Sequence, residues 1–244
     1  MNATHSQPDS IQSHVTSARL APVAVTAPHV GWATWLRGFG ALTKFRLSSL
    51  VLFTTAIGFV LADPVVWTWS QLLGAMFGTA LAAFGANALN QAIEAPHDRL
   101  MKRTRNRPVP AGVLSVTEAF VFGAGLAVAG PLLVAVTAGG LPAALTLLTV
   151  LLYVAVYTPL KRVTSLNTQI GAVCGALPPV IGWTAVSGAI EPGACVLFAI
   201  LLIWQIPHFL AIDWMHKDDY GGAGYRMLSS VDRSGRLNGT LAVV

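Results

Sequence analysis

Three polar side chains recur every four residues in an otherwise apolar stretch of the chain. They are Asn90, Glu94 and Asp98, within the segment NALNQAIEAPHD. A helix advances about 100° per residue, so these side chains fall within about 80° of one another and share one face. Mg²⁺ prefers one or two protein carboxylates and completes its shell with water and phosphate oxygens. The spacing therefore predicts a magnesium site at Glu94 and Asp98, with the amide of Asn90 beside them.

Basic side chains follow directly after this acidic face. Five of them lie between residues 99 and 107, and Arg103 and Arg107 are four residues apart. Guanidinium groups bind phosphate oxygens through two hydrogen bonds at once, so acidic and basic groups side by side fit a metal-bridged diphosphate. A solvated loop whose basic residues only orient the chain in a membrane is the alternative. That alternative does not explain the acidic pair.

Two later regions carry more polar groups, namely Lys161 and Arg162 in YTPLKRV, and Lys217 and Asp219 in MHKDDYGG. If the three regions close into one bundle, a single pocket holds up to three carboxylates and several cations, and opens into an apolar cavity. Each region also has a simpler interpretation, because basic residues anchor membrane helices and surface ion pairs contribute little stability. His208 fits a hydrogen-bonded bundle histidine as well as a haem or metal contact.

The elements that must position these residues are membrane helices. Only 25 of the 244 residues are charged, whereas a soluble chain of this length carries roughly a quarter, and 54% are hydrophobic. Helices satisfy their own backbone in lipid, which predicts an all-α, multi-span transmembrane helical bundle. We expect a disordered polar tail over 1–35 and a transmembrane domain over 36–244. Six apolar stretches have the length of a span, near 45–62, 72–93, 119–138, 141–159, 169–190 and 194–212.

The basic residues indicate the orientation of the bundle. All 15 lysines and arginines lie before the first span, between the second and third, between the fourth and fifth, or after the sixth. The positive-inside rule places these loops, and the site, on the cytoplasmic or matrix side. The net charge of +5 is thus better explained by orientation and a diphosphate pocket than by a nucleic-acid surface. A seventh span is expected to start at about Leu237, in a chain that is incomplete at its C-terminus.

With these residues identified, the sequence resembles the UbiA superfamily of intramembrane prenyltransferases, and most closely its haem O synthase branch. The first motif of that branch matches Asn90, Glu94, Asp98, Met101, Arg103, Thr104, Arg107 and Pro108. The second is similar to the segment from Tyr157 to Trp183, and the third to the segment from Trp204 to Leu228. Two departures stand out. Glu94 occupies a position where most members have Asp, and members usually have about nine spans.

The resemblance implies Mg²⁺-dependent transfer of a farnesyl group from farnesyl diphosphate to a vinyl group of haem B. It implies that Asn90, Glu94, Asp98 and Asp219 hold the metal, and that Lys161 and Asp219 join the first motif in catalysis. The cations implied to bind the diphosphate are Arg103, Arg107, Lys161, Arg162 and Lys217. His208 and Tyr220 are expected to orient the haem. The implied membrane is the bacterial inner membrane or the mitochondrial inner membrane, with haem A synthase or oxidase assembly factors as further partners.

Two other function classes stay open at this point. The first is a prenyltransferase that acts on a quinone precursor or chlorophyllide, although the second acidic region here has the haem-type pattern Lys217, Asp218, Asp219 and Tyr220. The second is a non-catalytic transporter of haem or lipid. A transporter is expected to carry polar groups near the middle of the bilayer, whereas these cluster on one side.

Overall fold

The computed structural model describes residues 31–62, 67–232, 234–236 and 239–240, and every regular element among them is helical. The helices are α1 (Trp32–Leu42), α2 (Phe45–Ala62), α3 (Trp69–Asp98), α4 (Val116–Ala138), α5 (Gly140–Leu151), α6 (Thr158–Leu160), α7 (Asn167–Ser187), α8 (Pro192–Met215), α9 (Lys217–Gly222) and α10 (Leu228–Val231). A π-helical segment, Leu152–Tyr157, joins α5 to α6. The prediction of an all-α bundle is confirmed.

Six helical segments of the described residues are long and apolar enough to cross a membrane. Each matches one predicted span, and the first extends back to Trp32 because α1 leads into α2. That helix begins inside the range expected to be a disordered tail. The remainder of the predicted tail, residues 1–30, lies outside the described residues, as does the expected start of a seventh span at Leu237.

Most spans differ from their predicted bounds by a few residues, and for two of them, α3 and α7, the difference has a clear local reason. α3 starts at Trp69 because the Thr68 side chain and Gln71 form a reciprocal capping box at its N-terminus. It then runs past the predicted end, through Pro96 to Asp98, since its polar last turns are buried by the rest of the bundle. α7 ends three residues before the predicted bound because Gly188 adopts a left-handed conformation and stops the helix.

Small residues allow the central helices to approach closely. A Cβ atom at Gly85 of α3 would lie 2.6 Å from the Gly123 carbonyl oxygen of α4, and one at Gly130 would lie 2.5 Å from the Gly78 carbonyl oxygen. α2 meets α7 in the same way, because a Cβ atom at Gly182 would collide with the backbone of Thr55. Close backbone approach of this kind is the usual means by which membrane helices associate.

The polar ends of several helices meet at one end of the bundle. The break between α1 and α2, the last turns of α3 and the end of α6 reach this region, as do the start of α7 and the end of α8. The short helices α9 and α10 lie beyond them, and the backbone N–H of Arg226 donates to the Lys161 carbonyl oxygen at 2.7 Å. The fold therefore gathers the three polar regions of the sequence around one point.

Candidate active site

A polar cavity of about 290 Å³ lies where these helix ends meet. The three side chains at the end of α3 line it, and all are buried, with Asn90 1%, Glu94 6% and Asp98 0% exposed. Their burial follows from the four-residue spacing, which turns all three toward the interior on one helix face. The acidic face identified in the sequence therefore lines a cavity and not the solvent.

Each buried carboxylate is held by a cation from another part of the chain. Lys161 Nζ donates to Glu94 Oε1 at 2.8 Å, and Arg107 Nη1 donates to Asp98 Oδ2 at 2.7 Å. Burial disfavours the charged form of Lys161, but Tyr157 and Glu94 outweigh this effect and hold the pKa of Lys161 well above its usual value. The cavity thus contains two acid–base pairs side by side, and Lys161 is charged at neutral pH.

Lys44 lines the cavity, although its position in the sequence predicts only a basic loop residue that orients the chain in the membrane. Its backbone has φ +47°, and among the described residues it is the only non-glycine residue with positive φ. This conformation breaks the helix between α1 and α2. The Lys44 ammonium group reaches the cavity, where it donates to Asn90 Oδ1 at 3.3 Å. A basic residue at a helix junction is a weak signal, because such residues are common at membrane surfaces.

Asn90 is fixed in orientation by a short chain of hydrogen bonds. Its Nδ2 donates to Thr158 Oγ1 at 3.0 Å, and that hydroxyl donates in turn to the Tyr153 carbonyl oxygen at 2.8 Å. The amide oxygen of Asn90 is therefore turned toward the Lys44 ammonium. Thr158 is fully buried, and nothing in its sequence neighbourhood marked it as a supporting residue.

A short covering segment, residues 217–231, closes one side of the cavity. It comprises α9, α10 and the turn between them, and contributes Tyr220, Tyr225 and Met227 to the lining. The buried carboxylate of Asp213 fixes the segment, since it accepts from the Ser229 N–H at 2.8 Å and from the Ser229 hydroxyl at 2.5 Å. Asp213 thus has a partner in the protein and acts as an anchor.

Three buried oxygen atoms that accept or donate no hydrogen bond belong to residues of this cavity. They are Asp98 Oδ1, Asn167 Oδ1 and the Tyr225 hydroxyl. Burial raises the pKa of the Tyr225 phenol, so it remains protonated at neutral pH. Buried polar groups are nearly always paired, so three unpaired oxygens in one cavity are typical of a site that receives a polar ligand.

Several residues predicted for the site lie elsewhere. Arg162, Lys217 and Asp219 do not line the polar cavity. The Arg162 side chain is exposed because Lys161, one position earlier, is the residue turned inward. Lys217 is also exposed, with its Nζ 4.2 Å from the centre of the Trp214 ring. In the described part of the chain no three His, Cys, Asp or Glu side chains converge as metal ligands, so Asp219 does not join Glu94 and Asp98. α9 turns Tyr220 toward the cavity instead.

A second cavity, apolar and about 340 Å³, lies deeper in the bundle. His208 lines this cavity, stacked on Trp204 with the ring centres 4.9 Å apart and the planes 15° apart. Four residues line both cavities and form their common wall: Leu47, Tyr153, Tyr157 and Phe209. A ligand with a charged head and an apolar tail would fit across this wall.

The π-helical segment explains how two tyrosines reach that wall. Tyr153 is the second residue of the segment and Tyr157 is its last, and their ring centres are 5.3 Å apart. π-helical turns widen the helix locally and are frequent at functional sites. The Lys161 ammonium lies 4.4 Å from the centre of the Tyr157 ring. The wall is therefore aromatic and has a cation at its polar end.

Comparisons with known proteins show the family to which this membrane bundle belongs. Residues 51–243 match the UbiA prenyltransferase family. The chain belongs to the UbiA prenyltransferase family and is a multi-pass integral membrane protein.

Two curated relatives with similar sequences are both named protoheme IX farnesyltransferase. The human mitochondrial protoheme IX farnesyltransferase is 45% identical over 188 residues, which is 77% of this chain and 42% of the relative. The protoheme IX farnesyltransferase of Cytophaga hutchinsonii is 40% identical over 214 residues, 87% of this chain and 73% of the relative. The chain thus spans less than half the length of the human relative.

A solved structure shows the same fold. The UbiA homolog from Archaeoglobus fulgidus bound to DMAPP and Mg²⁺ superposes with a TM-score of 0.64 at 16% identity, over 86% of this chain and 73% of that one.

Proposed function

We propose that this chain transfers a farnesyl group from farnesyl diphosphate to a vinyl group of haem B, which forms haem O. The observation that carries the proposal is the pair of adjoining cavities, one with two acid–base pairs and the other apolar. The names of the human and Cytophaga relatives support haem as the acceptor. The six-span fold supports a reaction carried out within the membrane.

The residues present fit a divalent cation. Asp98 Oδ1 is fully buried and accepts no hydrogen bond, so it is an oxygen ligand without a protein partner. We assign Asp98, Glu94 and Asn90 as the residues that would hold the ion, and the Archaeoglobus homolog bound to DMAPP and Mg²⁺ supports Mg²⁺ as its identity. When bound, the ion draws negative charge from the diphosphate and makes it a better leaving group.

Four cations of the polar cavity are placed to balance the charge that develops on the diphosphate: Lys44, Arg103, Arg107 and Lys161. Their contribution is electrostatic, because they stabilise the leaving group and form no covalent bond with the substrate. Two of these cations, Lys161 and Arg107, also pair with the two carboxylates. This pairing compensates the buried charges.

The apolar cavity suits the farnesyl chain. As the carbon–oxygen bond to the diphosphate breaks, an allylic cation forms, and apolar walls exclude the water that would quench it. The electron-rich vinyl group of haem then bonds to the farnesyl carbon. Water adds to the resulting cation and releases a proton, which gives the hydroxyethylfarnesyl side chain. His208, on the wall of the apolar cavity, and Tyr220, on that of the polar cavity, are assigned to orient the haem.

We also propose that the site faces the cytoplasm or the mitochondrial matrix. All residues of the polar cavity lie at the end of the bundle that carries the basic loops, which the positive-inside rule assigns to that side. The proposed membrane is the bacterial inner membrane or its mitochondrial equivalent. Farnesyl diphosphate and haem B would reach the site from that side or from the bilayer.

The choice of acceptor separates this function from its rivals. Membranes that contain the chain are incubated with farnesyl diphosphate, Mg²⁺ and one of three acceptors: haem B, 4-hydroxybenzoate or chlorophyllide. Of the three acceptors, we expect only haem B to give a prenylated product, detected by mass spectrometry. Prenylated 4-hydroxybenzoate or chlorophyllide, without prenylated haem, would instead indicate a prenyltransferase that acts on a quinone precursor or on chlorophyllide. Movement of haem across vesicles without any prenylated product would indicate a transporter.

A further inference from the structure

Asn167 and Tyr225 contribute two of the three unpaired oxygens of the polar cavity, and neither has a role in the mechanism above. Asn167 is 0% and Tyr225 is 4% exposed, and both line the cavity. They come from separate elements, the first turn of α7 and the covering segment. The third unpaired oxygen is Asp98 Oδ1, already assigned to the metal.

The hydrogen bonds of Asn167 show what its free atom can do. Its Nδ2 donates to the Thr164 carbonyl oxygen at 2.7 Å and to the Arg226 carbonyl oxygen at 3.4 Å. Both amide protons are thus used, and Oδ1 is left as an acceptor only. Asp98 Oδ1 is likewise placed to accept, because the other oxygen of the same carboxyl group already accepts from Arg107. Two of the three unpaired atoms therefore require a ligand that donates hydrogen bonds or carries positive charge.

The cations that line the cavity already have other partners. Lys161 holds Glu94, Arg107 holds Asp98 Oδ2, Lys44 donates to Asn90, and Arg103 donates to the Tyr220 hydroxyl at 3.1 Å. A diphosphate brings only acceptor oxygens, which would be repelled by the free oxygens of Asp98 and Asn167. A hydrated Mg²⁺ ion brings both positive charge and water protons, and it usually keeps several of its waters when it binds to protein.

We propose that Asn167 Oδ1 and the Tyr225 hydroxyl form an outer-sphere site that binds the water ligands of the divalent cation held by Asp98. This inference rests on the proposed metal–diphosphate function and adds two residues to the proposed metal site. Outer-shell partners of this kind typically change metal affinity by about 10–100-fold when they are removed. The covering segment, which carries Tyr225, thereby becomes part of the metal site.

Tyr225→Phe tests the proposal cleanly. The substitution keeps the ring, which packs near His97 and Tyr220, and removes only the hydroxyl. Because that hydroxyl has no hydrogen-bond partner in the protein, its loss should leave the thermal stability unchanged or slightly higher. Thr184→Val is the control, since it also removes one buried hydroxyl, and Thr184 lines neither cavity.

The measurement is Mn²⁺ binding to the purified chain in detergent, followed by loss of the free-ion electron paramagnetic resonance signal. Farnesyl thiolodiphosphate, which resists cleavage, is present, and a protein-free titration provides the blank. We expect Asp98→Asn to abolish binding, Tyr225→Phe to weaken it about tenfold, and Thr184→Val to match the unchanged chain. Binding of the thiolodiphosphate in EDTA should be the same for Tyr225→Phe and the unchanged chain.

Two results overturn the inference. In the first, Tyr225→Phe binds Mn²⁺ as tightly as the unchanged chain while Asp98→Asn does not bind it. The hydroxyl then does not contact the hydrated ion, and the proposed function remains supported without this inference. If Tyr225→Phe weakens thiolodiphosphate binding equally in EDTA, the hydroxyl faces the diphosphate instead. An unchanged chain that binds no Mn²⁺ at all would reject both the inference and the proposed function.

Discussion

Lys44 differs from Lys161 and Arg107 because no carboxylate of the described residues pairs with its ammonium group. Its one hydrogen bond there is to the neutral amide oxygen of Asn90, at 3.3 Å. The left-handed backbone conformation, φ +47°, costs about 1 kcal/mol for a residue with a Cβ atom. The chain thus accepts strain at the α1–α2 junction, and the Lys44 side chain lies in the polar cavity.

We therefore expect Lys44→Met to impair diphosphate binding. A charge-assisted hydrogen bond is worth about 1.5–3 kcal/mol, so the KM for farnesyl diphosphate should rise about tenfold or more, with a smaller change in kcat. Steady-state kinetics with haem B as the acceptor provides the measurement. Arg46→Met is the control, because Arg46 is an exposed basic residue just beyond the same junction. Equal KM values for the two variants would contradict the role assigned to Lys44.

At the residue scale, the sequence supports those parts of the site that follow from helix periodicity. The four-residue spacing of Asn90, Glu94 and Asp98 is enough to place them on one face, and the structure puts that face in the cavity. Asn167 and Tyr225 could not be selected, because their unpaired atoms depend on contacts between distant elements. Asp219 was selected from its motif, yet α9 leaves it outside the cavity lining.

At the element scale, the site depends on close packing against a helix that contributes no residue to the cavity lining. α4 contributes nothing to the lining of the polar cavity, but it supports α3 along its length. Two of its glycines differ sharply in surroundings. Gly130 lies against the α3 backbone, with an added Cβ placed 2.5 Å from both Ala82 N and the Gly78 carbonyl oxygen, whereas one at Gly125 would meet nothing within 4 Å.

This contrast yields a paired prediction for stability. Gly130→Ala should force α3 and α4 apart, at a cost of about 1–3 kcal/mol, and lower the midpoint of thermal unfolding in detergent. Gly125→Ala should leave the midpoint unchanged or raise it, because alanine is a better helix former than glycine by up to about 1 kcal/mol. Circular dichroism during heating measures both. A midpoint for Gly130→Ala at or above that of Gly125→Ala would show that α3 and α4 pack less tightly than the structure indicates.

The six spans could be predicted because hydrophobic length is a strong and local signal. The structure confirms each of them, including one whose bounds, Phe45–Ala62, coincide with the predicted stretch. The π-helical segment Leu152–Tyr157 could not be foreseen, since its residues are as apolar as those of any span. The same holds for the anchoring of the covering segment by Asp213, which requires a contact between residues 16 positions apart along the chain.

At the scale of the whole molecule, charge is distributed unequally between the two ends of the bundle. The polar cavity and the basic loops share one end, and the loop that follows α7, which contains Gly188 and Ala189, lies at the other. The proposed orientation would open the polar cavity to a charged substrate on the cytoplasmic side of the bilayer.

Orientation can be checked with cysteine labelling after expression in a bacterial inner membrane. The background carries Cys195→Ser to remove the exposed cysteine, while Cys174 is buried. We expect a membrane-impermeant maleimide to label Arg105→Cys in inverted vesicles and Ala189→Cys in right-side-out vesicles, because the positive-inside rule places Arg105 in the cytoplasm. The reverse pattern would place the polar cavity on the outer face.

The proposed function requires the acidic pair, with a divalent cation, to promote transfer of a farnesyl group to haem. This can be measured by mass spectrometry of haem extracted after membranes are incubated with haem B, farnesyl diphosphate and Mg²⁺. We expect a product that has gained one farnesyl group and one hydroxyl group, lost in EDTA and reduced about a hundredfold or more by Asp98→Ala. Undiminished product from Asp98→Ala, or no product from the unchanged chain, would contradict the claim.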